Sequence, residues 1–261
     1  MKFIVALIAA FSVAEANWKS GSVATYDKFT HGKIVASMKT PNKKGTVASI
    51  YTFWDGPGFY PGGWNEIDMN IVPSVSDKPL STNVVYGDGH DKREDHDYNE
   101  RWELDDEFHD YAIEWTPDYI SWSIDGTQVR KITNEEHEAV DLLSKPSSLR
   151  LNFWTPNFHA WGAEFNQRDM PWYLLFDYVE LYNWSKDKGF EKAWRDDFNH
   201  FDQTKWHKIS GSFDGNSSVF YPQNAYVEQG HLVLKMEPTE IHHSHHHDDD
   251  HHFYDSELHR Q

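Results

Sequence analysis

The 261-residue sequence contains no cysteine, so no disulfide can hold it and a stable fold has to come from packing a large core. Beyond the first residues it has no run approaching the roughly 18 apolar residues that a membrane-crossing helix needs. Positive charge is scarce, 24 Lys and Arg against 42 Asp and Glu, and the formal net charge of −18 repels nucleic acid and anionic membranes. Apolar residues are few too, at 38%, yet aromatics reach 16%, with 12 Trp. Aromatic side chains bury the most surface per residue, so a sizeable core remains within reach. A surplus of that size also offers flat platforms for ligands with apolar faces, pyranose sugars being the obvious soluble example.

Residues 1–16 read as a secretory leader: Met-Lys, an apolar run over 3–13, then Ala14-Glu15-Ala16 in the small-x-small pattern of a cleavage site. The mature chain then starts at Asn17 and the protein is expected outside the cell. Two sequons, at Asn183 and Asn216, fit that route.

The most informative stretch is 62–73, Gly-Gly-Trp-Asn-Glu-Ile-Asp-Met-Asn-Ile-Val-Pro. In a strand, Trp64, Glu66, Asp68 and Asn70 share one face while Ile67, Met69 and Ile71 share the other. Unpaired buried polar groups cost roughly 1–3 kcal/mol each, so a strand that only packed would not place two carboxylates and an amide at alternate positions. The polar face is expected to line a cleft. The plainer alternative is a half-exposed strand with solvated acids.

From Asn17 onward, period-two runs alternate with turn signals. Residues 32–39 and 46–54 alternate around a Pro-Asn-Lys-Lys-Gly loop, and 111–115, 120–124 and 127–132 form successive hairpins through Thr116-Pro117-Asp118 and Asp125-Gly126. Further strands are predicted at 148–154 and 172–184, with a helical period only over 134–143. This is the pattern of an all-β, two-sheet jelly-roll sandwich. Residues 185–195 read as a polar linker, 88–97 as a loop, and 197–206 and 225–236 as strand material. The stretch 196–237 is too short to stand alone without cysteines or metal, so it is expected to complete the sheets of one domain over 17–239. The segment 240–261, rich in His and Asp, is expected to be disordered. It is open to two readings, a loose transition-metal site or a merely solvated tail.

Several of these pieces together resemble glycoside hydrolase family 16, the secreted endo-β-glucanases with a concanavalin A-like jelly roll. They are Trp64-Asn65-Glu66-Ile67-Asp68, the hairpin Glu114-Trp115-Thr116-Pro117-Asp118-Tyr119-Ile120 with Trp122-Ser123-Ile124-Asp125-Gly126, and Leu151-Asn152-Phe153-Trp154. Residues 196–206 resemble the family's opening strand, yet here they come last. The chain is therefore similar to the naturally permuted 1,3-1,4-β-glucanases (lichenases) of the family. The resemblance implies a retaining mechanism with Glu66 as nucleophile and Asp68 as the carboxylate between two partners. At the third position, where the family has Glu, this chain has Asn70, which holds no proton to donate.

The resemblance also implies cleft positions for Tyr51, Phe53, Trp64, Asn83, Trp154 and Trp161, with core packing the alternative for any one of them. It implies a calcium ion held near Asp177, Asp197 and Gly230, where a solvated acid and a plain turn are the alternative. Three functions stay open on the sequence: a secreted β-glucan-binding protein with impaired hydrolysis, an active endo-β-1,3-1,4-glucanase or transglycosylase whose acid comes from Asp68 or from 88–97, and a metal-binding matrix protein.

Overall fold

The computed structural model describes residues 18–56, 63–73, 79–87, 91–99, 106–158, 161 and 165–239. The expected leader at 1–16 and the His/Asp segment at 240–261 lie outside the described residues. Period-two patterning becomes two packed sheets, the jelly-roll sandwich expected from the sequence. The front sheet runs β14 (Trp206–Lys208), β2 (Ser22–Phe29), β11 (Ser147–Trp154), β4 (Val47–Phe53), β5 (Trp64–Ile71), β6 (Leu80–Gly87) and β7 (Arg93–Asn99). The back sheet runs β10 (Thr127–Thr133), β9 (Tyr119–Ile124), β8 (His109–Trp115), β3 (Gly32–Lys39), β12 (Trp172–Ser185), β17 (His231–Pro238), β1 (Trp18–Ser20) and β15 (Ser218–Phe220). Strand β13 (Gly189–Asp196) pairs with β12, and β16 (Ala225–Glu228) with β17.

Local chemistry fixes the turns. Thr116 Oγ1 accepts the amides of Asp118 at 3.2 Å and Tyr119 at 3.0 Å, closing the β8–β9 turn. Asp125 and Gly126 take φ of 49° and 76°, the paired positive values that a two-residue hairpin turn between β9 and β10 requires. The helical period over 134–143 yields only one turn, α1 (Ala139–Leu142). Nucleating a helix is costly, and this segment gains its order by packing Ala139 and Val140 into the core instead.

One large apolar cluster fills the space between the sheets, with Trp115, Trp122, Phe153, Phe176, Phe198 and Trp206 fully buried. Each buried indole N–H finds an acceptor: Trp115 the carbonyl of Leu143 at 3.1 Å, Trp122 the carbonyl of Asp68 at 2.9 Å, and Trp206 the Asp196 carboxylate at 2.9 Å. Satisfying these donors lets bulky aromatics be buried without the penalty of an unmade hydrogen bond.

Three expectations about the strands need correction. Residues 189–196 are not a linker but β13, a charged outer strand whose register runs from Ser185↔Gly189 to Val179↔Asp196. Residues 93–99 are not a loop but β7, the edge of the front sheet. The reverse holds at 197–205, which is turn rather than strand, tied by Lys205 N–H to Asp202 O at 3.1 Å.

Candidate active site

Strand β5 has neighbours on both sides, and the sheet's register places side chains of up to seven strands in rows on the front face. One row runs His207, Ala24, Arg150, Tyr51, Asp68, Asn83, His96. A second runs Ser22, Asn152, Ser49, Asn70, Ser81, Tyr98. A third places Glu66 between Phe53 and Val85, with Glu94 beyond. The opposite face of β5, Ile67, Met69 and Ile71, is sealed in the core. The polar face is therefore not a solvated edge, since Asp68 and Asn70 are each only 7% exposed.

Glu66 is half-buried and accepts a hydrogen bond from the Trp64 indole at 2.5 Å. Burial raises its carboxyl above the ordinary range, while the Trp64 hydrogen bond, Lys92 and Arg150 pull the other way. Asp68 is held well above its ordinary value, by burial first and then by the Glu66 charge beside it. Both carboxyls are thus pushed toward their protonated forms, Asp68 the more strongly. Asn83 Nδ2 donates to Asp68 Oδ2 at 3.1 Å, which orients that carboxyl.

The walls are aromatic and cationic. Lys92 lies over Trp64 at 4.2 Å and Arg150 over Phe53 at 4.5 Å, while Arg150 also binds Asp55 at 2.7 Å and Lys92 binds Glu94 at 2.5 Å. Tyr51 accepts from Asn152 Nδ2 at 3.2 Å, and burial pushes its hydroxyl pKa up. Along the Asn70 side, Trp154 donates to Ser49 Oγ at 3.3 Å and Trp161 to Tyr98 Oη at 3.0 Å. These two Trp are 8% and 7% exposed and share a small apolar cluster with Val47, Val72 and Phe220. They stiffen the wall more than they present a free stacking face. Phe158, 41% exposed and 5.4 Å from the Trp161 ring, is the open aromatic there.

All the candidate cleft residues, Tyr51, Phe53, Trp64, Glu66, Asp68, Asn70, Asn83, Trp154 and Trp161, come to this face or its wall. Reading from the sequence missed Arg150, Asn152, Lys92 and Ser81. The first two alternate with Trp154 along β11 and were open to the same period-two argument. Lys92 and Ser81 depend on strand neighbours that only the fold supplies. Trp122 was also missed: from the core side its indole holds the Asp68 carbonyl, and Arg130 stacks on it at 4.9 Å. Arg130 in turn binds Asp95 at 2.6 Å and the Thr82 carbonyl at 3.1 Å, joining β10 to β7 and β6.

The three residues expected to hold calcium lie in these surroundings. Asp197 is held by Arg195 at 2.6 Å, Asp177 faces His231 at 3.6 Å, and Gly230, with Gln229, supplies the positive-φ turn of the β16–β17 hairpin. Among the described residues no three His, Cys, Asp or Glu side chains converge as metal ligands. Among the same residues no helix is long and apolar enough to cross a membrane.

Similarity to known proteins agrees with this fold. The chain is 28% identical over 232 residues to a beta-glucanase of Fibrobacter succinogenes, covering 86% of this chain and 65% of that protein. It is 30% identical over 140 residues to a probable xyloglucan endotransglucosylase/hydrolase of Arabidopsis thaliana, covering 52% and 41% respectively. The chain thus spans less than two thirds of the length of either relative. A family 16 structure from a Bacteroides ovatus mixed-linkage glucan locus, solved with a product, matches with a TM-score of 0.50 over 62% of this chain and 79% of that one, at 15% identity, and so shares the fold. The family model described as glycosyl hydrolases family 16 matches residues 7–178. That is well over half of the chain, which therefore belongs to glycosyl hydrolases family 16.

Proposed function

We propose that this is a secreted β-glucan-recognising protein whose hydrolytic step is held back by the amide at position 70. The observation that carries the reading is the row through Asn70. Its front-sheet neighbours Ser22, Asn152, Ser49 and Ser81 bring no carboxyl to the place where a retaining enzyme needs its acid and base. Glu66 keeps what a nucleophile needs, an indole donor and two nearby cations. General acid–base assistance is worth about 10²- to 10⁴-fold, so a site with Glu66 alone binds far better than it cuts. In the same reading the strand order is permuted, with 196–237 supplying strands that open the fold elsewhere in the family. The adjacency of Trp18 and Pro238 in the β1–β17 pair supports this, because a permutation needs ends that meet.

The test joins binding to turnover. Native protein is expected to bind linear β-glucan and release almost no reducing sugar, and Asn70→Glu to raise hydrolysis of β-1,3-1,4-glucan by at least about 10²-fold. Native turnover on unactivated glucan near the common 1–10³ per second would sink the proposal. One observation favours a second reading, an active enzyme: the Asp68 carboxyl sits beside Glu66 and is held well above its ordinary range, the direction a proton donor needs. That reading requires Asp68→Asn to lose glucan cleavage that the native protein possesses.

A further inference from the structure

The fold treats the two sequons differently. Asn183 is exposed near the end of β12, and Ser185, which completes its sequon, leads into the turn to β13, its Oγ accepting the Lys188 amide at 3.3 Å. In register Asn183 lies between Gly32, which has no side chain, and Glu191, which is exposed. Trp184 stands at the middle position, where only proline bars glycan transfer.

Asn216 is shut in. Its Nδ2 is buried without a hydrogen-bond partner, while its Oδ1 accepts the Ser218 amide at 2.8 Å and the Ser218 hydroxyl at 2.7 Å. Ser218, which completes this second sequon, is fully buried and hydrogen-bonded to Ser20 of β1 at 3.0 Å. Backbone bonds clamp the same turn to the segment after β11, Ser217 N–H to Thr155 O at 2.8 Å and Asn157 N–H to Gly215 O at 2.9 Å. A sugar bonded to that Nδ2 needs space that packed protein already fills, so a chain carrying one there cannot close β15 onto β1.

Resting on the secreted part of the proposed reading, we infer that Asn183 carries an N-linked glycan in the folded protein and that Asn216 does not. The donor is an oligosaccharide on a lipid pyrophosphate, presented by the transferase of the secretory route. Asn183 Nδ2 bonds to the anomeric carbon of the first sugar, the lipid pyrophosphate leaves with the electron pair of the broken bond, and a proton passes from Nδ2 to the transferase. This sequon stands on the back sheet beside the outer strand β13, whereas Glu66, Asp68 and Asn70 belong to the front sheet.

The experiment expresses the full chain, with residues 1–16, in a eukaryotic secretory host. The secreted protein is treated with peptide N-glycosidase in heavy-oxygen water, which marks each asparagine that bore a glycan, and its peptides are read by mass spectrometry. The expected result is a loss of mass on treatment, with the label at position 183 and none at 216. Asn183→Gln and Ser185→Ala, which leave the second sequon intact, are each expected to abolish the mass loss and to melt near the native temperature. Secreted protein that melts cooperatively with a glycan on Asn216 overturns the inference, as does secreted protein bare at Asn183. A chain retained in the cells with its leader uncleaved and no glycan overturns the secreted reading as well.

Discussion

At the scale of single residues, Asp68 links the chemistry of the cleft to the stability of the fold. Its carboxyl pKa lies above the unfolded value, so the folded chain binds the additional proton in the interval between the two. Stability from this group is complete below the ordinary carboxylate range and is lost as pH rises through the window. Asp68→Asn, which cannot ionise, is therefore expected to melt higher than native protein at pH 7, with the gain shrinking toward pH 4; a scan of melting temperature against pH checks this. Trp122 acts from behind the same strand. Trp122→Phe keeps the ring in the core but leaves the Asp68 carbonyl without its donor, an expected loss of about 1–3 kcal/mol in urea unfolding. Both residues illustrate how far the sequence reaches. Alternation along 62–73 was enough to put Glu66, Asp68 and Asn70 on one face, because a strand's period depends on its own backbone. The tie from Trp122 was hidden, since it joins two sheets whose packing no local pattern encodes.

Among the elements, legibility followed burial. Strands with one buried face, β3, β4, β8, β9 and β11, announced themselves by alternation, and the Asp-Gly turn announced its hairpin. Strands β7 and β13 read as loops because their sequences, Arg-Glu-Asp-His-Asp-Tyr-Asn and Gly-Phe-Glu-Lys-Ala-Trp-Arg-Asp, are charged on both faces. They hold their places through backbone pairing with β6 and β12, and charge on an outer strand also discourages edge-to-edge association. The wall between β11 and β7 was half legible: its Trp residues were visible, their burial was not. Trp161→Ala should therefore destabilise the protein by roughly 2–4 kcal/mol instead of acting on ligand alone, measurable by chemical denaturation. Phe158→Ala, at an open ring, is expected to weaken glucan affinity by about 1 kcal/mol, near fivefold, while the melting temperature changes little; calorimetry and thermal melts separate the two effects.

Across the whole molecule, the late strands belong to the same two sheets as the early ones. Strand β17 lies between β12 and β1, β14 borders β2, and Phe198 and Trp206 are fully buried in the main core. A fragment ending at Ser185 would expose both edges and that core surface, so it is expected to be insoluble or to lack a cooperative melt. A soluble fragment with a sharp transition would contradict this. The position of β17 also bears on synthesis. Strand β1, near the start of the described chain, has as its partners β17 and β15, which are made some two hundred residues later. Until those strands leave the ribosome β1 has no partner to pair with, so this edge of the back sheet is the last to be completed.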